Sequence, residues 1–238
     1  MNTVFHAAAS RGHADHGWLN SWHTFSFASY HDPTRVHFGA LRVLNDDTVA
    51  AGRGFGKHPH ENMEIISIPL EGALKHIDTM GNQGVIRPGD VQLMSAGTGL
   101  MHAEMNASDT EQVKFLQIWI IPKMRNVTPQ YRDRSFNPAG RDEKWQLLVS
   151  PDGRDDSLES NQDAWLSIGK YKPGQEIDYT FRSEGTGLYV FIISGKVQLD
   201  DQLLNKRDGI GITDTQRIEL IILEDSELLL IEVPVGYL

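Results

Sequence analysis

Two short stretches of the sequence carry side chains suited to holding a metal ion. One reads Gly52-x5-His58-Pro59-His60-x3-Glu64, followed by Glu71-Gly72; the other reads Gly97-Thr98-Gly99-x2-His102-Ala103-Glu104-x-Asn106. Each contains a pair of potential ligands at i and i+2. In an extended chain such residues point to the same face, roughly 6.5–7 Å apart at Cα. Two pairs on neighbouring strands therefore aim four side chains, His58, His60, His102 and Glu104, at one interior point. Imidazole nitrogen and carboxylate oxygen suit a divalent first-row metal and leave room for water or substrate at an open position. Glu64 competes with Glu104 for the carboxylate place. On a straight strand from His60 it would lie ~13 Å further along, out of reach, so it needs a turn between Glu61 and Met63. Glu104 shares a strand face with His102 and needs no turn, which makes it the expected ligand.

The other histidines, His6, His13, His16, His23, His31, His37 and His76, lack such pairing, and an ordinary structural or surface role is expected for each. Met63, Phe25, Phe27, Phe55 and Trp119 could line a pocket, but core packing is the expected role. All 10 histidines lie at or before His102. If the two halves of the chain share a fold, only the first can carry a histidine-built site.

The elements that must position these residues read as all-β. Short runs rich in Val, Ile, Leu and aromatics, such as residues 40–44, 65–70, 114–121, 188–193 and 228–233, recur between Gly, Pro, Asn and Asp clusters. Turns are expected at Asn45-Asp46-Asp47, Met80-Gly81-Asn82, Pro88-Gly89-Asp90 and Lys172-Pro173-Gly174. Many short strands at such spacing suggest sandwiches or barrels, which limit exposed sheet edges. A polar stretch over residues 123–144, with Pro129, Pro138 and Gly140, reads as a linker. Glu71-Gly72 with Arg87-Pro88-Gly89-Asp90 is loosely echoed by Ser194-Gly195-Lys196 with Lys206-Arg207-Asp208-Gly209, as two related β-domains in tandem would produce. The expected division is residues 1–130 for a metal-binding domain and 131–238 for a second domain without histidines or metal.

Composition narrows the function classes. The 238 residues carry a formal net charge of −10 and no basic cluster, which argues against binding nucleic acid or anionic lipid. The absence of cysteine excludes disulfides, thiolate ligands and thiol catalysis. No apolar run approaches the ~20 residues of a membrane span, and the N-terminal residues lack a secretory apolar region. A cytoplasmic protein is expected.

Longer motifs carry a resemblance. The chain contains Arg11-Gly12-His13, then Trp22-His23-Thr24-Phe25-Ser26-Phe27-Ala28-x-Tyr30-x-Asp32-Pro33, and Leu41-Arg42-Val43-x-Asn45-Asp46-Asp47. Gly54-Phe55-Gly56-x-His58-Pro59-His60, Met63-Glu64, Met94-Ser95-Ala96-Gly97-Thr98-Gly99, His102-x-Glu104 and Gln117-Ile118-Trp119 follow. Over its first 120 or so residues the chain resembles the pirin family of the cupin superfamily, and looks especially like the bacterial pirin-like quercetinases. The resemblance implies two cupin barrels in tandem, a bicupin, with one divalent metal ion per chain held in the first by His58, His60, His102 and Glu104. Iron is the favoured ion, with Mn, Ni, Cu, Co and Zn as alternatives. It further implies a dioxygenase that cleaves flavonols such as quercetin, with a small aromatic substrate and dioxygen as partners and Glu104 as the natural base. The alternative, from another functional class, is a metal- and redox-dependent regulatory protein that modulates a protein partner.

Overall fold

The alternation of apolar and polar residues resolves into two similar β-barrels, described over residues 1–236 in a computed structural model. In the first, a seven-stranded sheet runs in the order Gln130–Ser135, Asp90–Ser95, Glu64–Glu71, Val113–Ile120, Leu41–Val49, Leu19–His23 and Gly12–Asp15. A four-stranded sheet in the order Gly54–His60, Leu100–Asn106, Leu74–Asp78 and Gln83–Ile86 accompanies it. The second barrel repeats the pattern. Its seven strands are Asn2–His6, Gly209–Thr213, Thr186–Ser194, Ser226–Pro234, Trp165–Tyr171, Gln146–Ser150 and Leu158–Glu159; its four are Glu176–Thr180, Arg217–Ile222, Lys196–Leu199 and Gln202–Asn205. The architecture is the expected all-β bicupin. Among the described residues, no helix is long and apolar enough to cross a membrane.

Strand faces decide what sits where. On the Leu41–Val49 strand, Leu44 joins an apolar cluster that also contains Ile66, Ile68, Leu116 and Ile118 from the first large sheet. The same cluster takes Leu148, Leu166, Ile168, Leu229 and Ile231 from the second. The two large sheets thus cover one another back to back, with a shared core between them. The interior of the second barrel is filled by Leu188, Val190, Ile192, Ile210, Leu228 and Leu230. The one carboxylate on the Leu228 and Leu230 face of the Ser226–Pro234 strand, Glu232, is taken up by hydrogen bonds from Tyr179 Oη and Thr186 Oγ1, both at 2.8 Å, and from the Arg182 and Ser183 amides.

Three features depart from the sequence expectations. Asn45-Asp46-Asp47 is not a turn but the middle of the Leu41–Val49 strand. Each of its polar side chains has a place there: Asp46 faces the second barrel and pairs with Arg207 at 2.8 Å and Arg11 at 3.4 Å, while Asn45 and Asp47 face into the first. Residues 123–144 are not simply a linker, because Gln130–Ser135 pairs along Asp90–Ser95. Two strands also cross the division expected after residue 130: Gln130–Ser135 extends the first barrel's sheet, and Asn2–His6 extends the second's.

Candidate metal centre

The two ligand-bearing motifs become adjacent antiparallel strands. Gly54–His60 pairs with Leu100–Asn106, with His102 opposite His58 and Leu100 opposite His60. Beyond His102 the register shifts by a bulge, so that Glu104 lies opposite Phe55. Such a bulge bends the strand and re-aims side chains. Gly54 permits the close approach, because a β-carbon there would fall 2.4 Å from the carbonyl oxygen of Glu104. On Leu100–Asn106 the even positions, His102 and Glu104 among them, are buried, and Met101 is exposed. This is the period-two alternation that the strand-face argument requires.

His58, His60 and His102 converge. Their ring centroids lie 4.8, 4.5 and 4.7 Å apart, and each offers a nitrogen within 4.8 Å of the others. Trp119 packs against His60 edge-on, at 4.9 Å. Glu104 forms a second group with His102 and His76, and it shares a cavity wall with His58 and His60. Its carboxyl accepts from Ser67 Oγ at 3.0 Å and from Gln117 Nε2 at 2.6 Å. Burial nonetheless pushes this carboxyl up to about 7 against those two hydrogen bonds. Glu64 goes elsewhere. The chain does turn at Asn62, which has φ 48°, but Glu64 then faces the second barrel and accepts from Ser95 Oγ at 2.7 Å and the Asn161 amide at 3.0 Å.

The donor set can be tested for a cation without reference to any resemblance. His58 donates from Nδ1 to the Gly56 carbonyl at 2.7 Å, which leaves its lone pair on Nε2. His76 donates from Nε2 to Asp78 Oδ2 at 3.1 Å, so its Nδ1 is free to accept from His102 Nδ1 at 3.4 Å. His102 then also presents a lone pair on Nε2. The two Nε2 atoms face each other at 3.0 Å. Two acceptors at that distance repel unless a proton or a cation lies between them. Burial and the neighbouring imidazoles push His102 down to about 2, so its ring brings no proton into the gap at neutral pH. Imidazole nitrogens ~2.1 Å from one ion and at right angles to each other are about 3 Å apart. The residues fit a divalent metal.

A cavity of about 400 Å³ opens beside these groups, within the ~300–1,000 Å³ range of small-molecule sites. Trp18, Phe27, Phe55 and Trp119 supply its apolar walls, while Ser21, His23, Asn45, Asp47 and Gln117 supply polar ones. Phe27, Phe55 and Trp119 are therefore pocket residues, contrary to the core role expected, whereas Phe25 belongs to the shared core. His16 and His23 line the cavity as well, and His76 supports His102, so three histidines expected to be ordinary sit at or beside the centre. His76 had a readable signal: with Asp78 it forms another i,i+2 pair of ligand-type residues. A cleft of about 520 Å³ elsewhere contains Lys123, Asp163, Arg132 and Glu159, but those charges pair with each other.

Comparison with known proteins agrees with this geometry. The sequence model of the Pirin family matches residues 4–120, and that of the quercetinase C-terminal cupin domain matches residues 147–233. A protein of Escherichia coli named quercetin 2,3-dioxygenase is 43% identical over 227 residues, covering 95% of this chain and 96% of that protein. A pirin-like protein of Caulobacter vibrioides is 42% identical over 222 residues, covering 93% and 95%. The crystal structure of the bacterial pirin YhhW from Escherichia coli in complex with nickel(II) superposes with a TM-score of 0.93 at 41% identity, covering 99% of this chain and 100% of that one.

Proposed function

This chain belongs to the pirin family, and from that premise we propose that it is a metal-dependent quercetin 2,3-dioxygenase, with His58, His60, His102 and Glu104 as ligands of one ion. The observation that carries the reading is the pair of lone pairs facing one another at 3.0 Å between His58 and His102, beside a cavity with aromatic walls. The relative that shares 43% identity is named for this activity, and the nickel held by the similar pirin accords with a nitrogen- and oxygen-rich site. Iron is the ion proposed here, because the reaction consumes dioxygen and a redox-capable centre suits it. The first barrel is proposed as the catalytic domain and the second as its covering partner.

A bound divalent ion supplies Lewis acidity toward the flavonol 3-hydroxyl, lowering its pKa. The chain supplies the rest. Glu104 is the proton acceptor in this scheme, since a ligand carboxylate can loosen and take a hydroxyl proton within hydrogen-bond reach. Ser67 and Gln117 hold that carboxyl in one orientation. Trp119 and Phe55 bound a slot for planar rings and limit water around the reacting carbon atoms. Overall, one flavonol and one dioxygen give one depside and one carbon monoxide. The cavity favours turnover over the regulatory alternative, which calls for a partner surface and not an interior pocket.

The test is elemental analysis and quercetin consumption by the purified protein, beside a His58→Ala/His102→Ala variant. About one metal per chain is expected in the parent, with loss of metal and turnover together in the variant. Consumption no faster than that of free metal ion would refute the activity.

A further inference from the structure

The inner face of the first large sheet carries a polar row where a barrel core is ordinarily apolar. Across the strands His23 stands opposite Asn45, Asn45 opposite Gln117, Gln117 opposite Ser67 and Ser67 opposite Gln92. One step along, Ser21 stands opposite Asp47. All seven side chains are buried. Ser67 and Gln117 are engaged by Glu104. The residues at the other end of the row are not engaged with the metal centre, yet they line the same cavity.

That end is built like a binding surface without its ligand. Asp47 is 3% exposed and accepts a hydrogen bond from Ser21 Oγ. No Lys or Arg is among the groups that perturb its carboxyl, which burial pushes up to about 7. Arg11 and Arg207 both pair with Asp46, on the opposite face of the strand. Beside Asp47, the side-chain amide oxygen Oδ1 of Asn45 and Nδ1 of His23 are buried with no hydrogen-bond partner in the fold. A buried polar atom left unsatisfied costs ~1–3 kcal/mol. Two such atoms side by side at a cavity wall, next to a carboxyl that no cation neutralises, call for an occupant that supplies hydroxyl groups, which donate to Asn45 Oδ1 and meet His23 Nδ1 in either tautomer. Trp18 and Phe55 flank the same space, so the body that carries those donors is flat and apolar. A polyhydroxylated aryl ring meets both requirements.

We propose that Asp47 and Asn45, with Ser21 behind Asp47 and His23 beside Asn45, form a hydroxyl-recognition subsite that selects polyhydroxylated flavonols over unsubstituted ones. This deepens the dioxygenase reading and rests on it. The metal centre takes the 3-hydroxyl, and the Asp47 subsite takes phenolic hydroxyls on a ring further from the ion. Asp47 is a specificity-determining residue in this scheme and takes no part in the ring-opening step.

Quercetin and 3-hydroxyflavone share the fused rings and the 3-hydroxyl but differ in the remaining hydroxyls, which makes them the probes. The metal-replete parent, Asp47→Asn and Asn45→Leu are compared by kcat/KM on both compounds, with metal content measured for each. The parent is expected to prefer quercetin. Asp47→Asn is expected to lower that preference at least tenfold through KM for quercetin, with Asn45→Leu moving in the same direction should Asp47→Asn fail to fold. An unchanged preference, or an equal fall for both compounds, overturns the subsite and leaves the dioxygenase reading standing. Should the parent turn over neither compound, the activity fails, and the subsite is read from binding alone, by quenching of tryptophan fluorescence. At least tenfold weaker binding of quercetin to Asp47→Asn, with 3-hydroxyflavone moved less, then supports it; equal affinity overturns it.

Discussion

The Nδ1 atoms of His102 and His76 lie 3.4 Å apart in the buried interior of the first barrel. Their strands run side by side, with Glu104 opposite His76 and His102 opposite Asp78. A chain of hydrogen bonds therefore runs from Asp78 through His76 to His102, and it sets which nitrogen of His102 faces His58. Tyr131 stacks on His76 at 4.6 Å and holds the ring plane. Metal-binding histidines ordinarily have such a partner on the second nitrogen, which fixes tautomer and orientation. His58 uses a backbone carbonyl for the same purpose, and His102 uses another histidine backed by a carboxylate.

Removing that support should loosen the metal without removing a ligand. His76→Ala is expected to weaken metal affinity 10–100-fold, the usual effect of losing such a partner. It also leaves the His102 Nδ1–H buried without an acceptor, at ~1–3 kcal/mol of stability. Competition against a chromophoric chelator, run on the folded variant, measures the affinity. An affinity equal to the parent's would take His76 out of the ligand support.

The metal should also contribute to stability. An ion present at a hundred times its dissociation constant stabilises the folded state by about 2.7 kcal/mol. For a chain of this size that corresponds to a Tm shift of roughly 5–10 °C. Chelation is expected to lower the parent's melting temperature by that amount and to leave the His58→Ala/His102→Ala variant unmoved. A variant that still responds to the chelator would place the ion on other residues.

The sequence showed more of the proposed ligands than of their surroundings. The His58/His60 and His102/Glu104 pairs were legible because a strand has period two, and spacing alone puts each pair on one face. The choice of Glu104 over Glu64 followed from the same geometry, and the structure sends Glu64 to the junction with the second barrel. The Asn45-Asp46-Asp47 run misled because those residue types favour turns in an exposed chain. Here Arg11 and Arg207 pair with Asp46 on one face, while Asn45 and Asp47 open onto the cavity on the other. Phe27, Phe55 and Trp119 could not be told from core residues, since which strand face opens onto a cavity depends on how the barrel closes. The pairing of Asn2–His6 with Gly209–Thr213 is a contact across some 200 residues that no local pattern announces.

Glu104 is proposed in two roles that one substitution tests together. Glu104→Gln keeps the shape and removes both the charge that binds the ion and the proton acceptor. General-base removal costs typically ~10²–10⁴-fold, so kcat on quercetin is expected to fall at least 100-fold at saturating metal. Metal titration of the same variant should show weaker but measurable binding through the three imidazoles. Parental kcat in metal-saturated Glu104→Gln would assign the proton acceptor to another group.

Acid should destabilise the metal-free protein, and the sign follows from which form the fold prefers. Burial pushes His6, His23 and His60 down to about 4 from 6.5, and His102 lower still. The fold holds these rings neutral, so the stability they support is whole above pH 6.5 and is lost as pH falls toward 4. Glu104 and Asp47 act in the opposite sense. Burial raises them to about 7 from 4.5 and 3.8, so their contribution is present below those unfolded values and is lost as pH rises through 7. Between pH 4.5 and 6.5 the four histidines outweigh the two carboxyls, and stability rises with pH. Melting temperatures of chelator-stripped protein are expected to peak near neutrality and to drop steadily from pH 7 to pH 5. A flat profile over that interval would mean that the imidazoles are already protonated in the fold, which would remove the lone-pair argument for the metal.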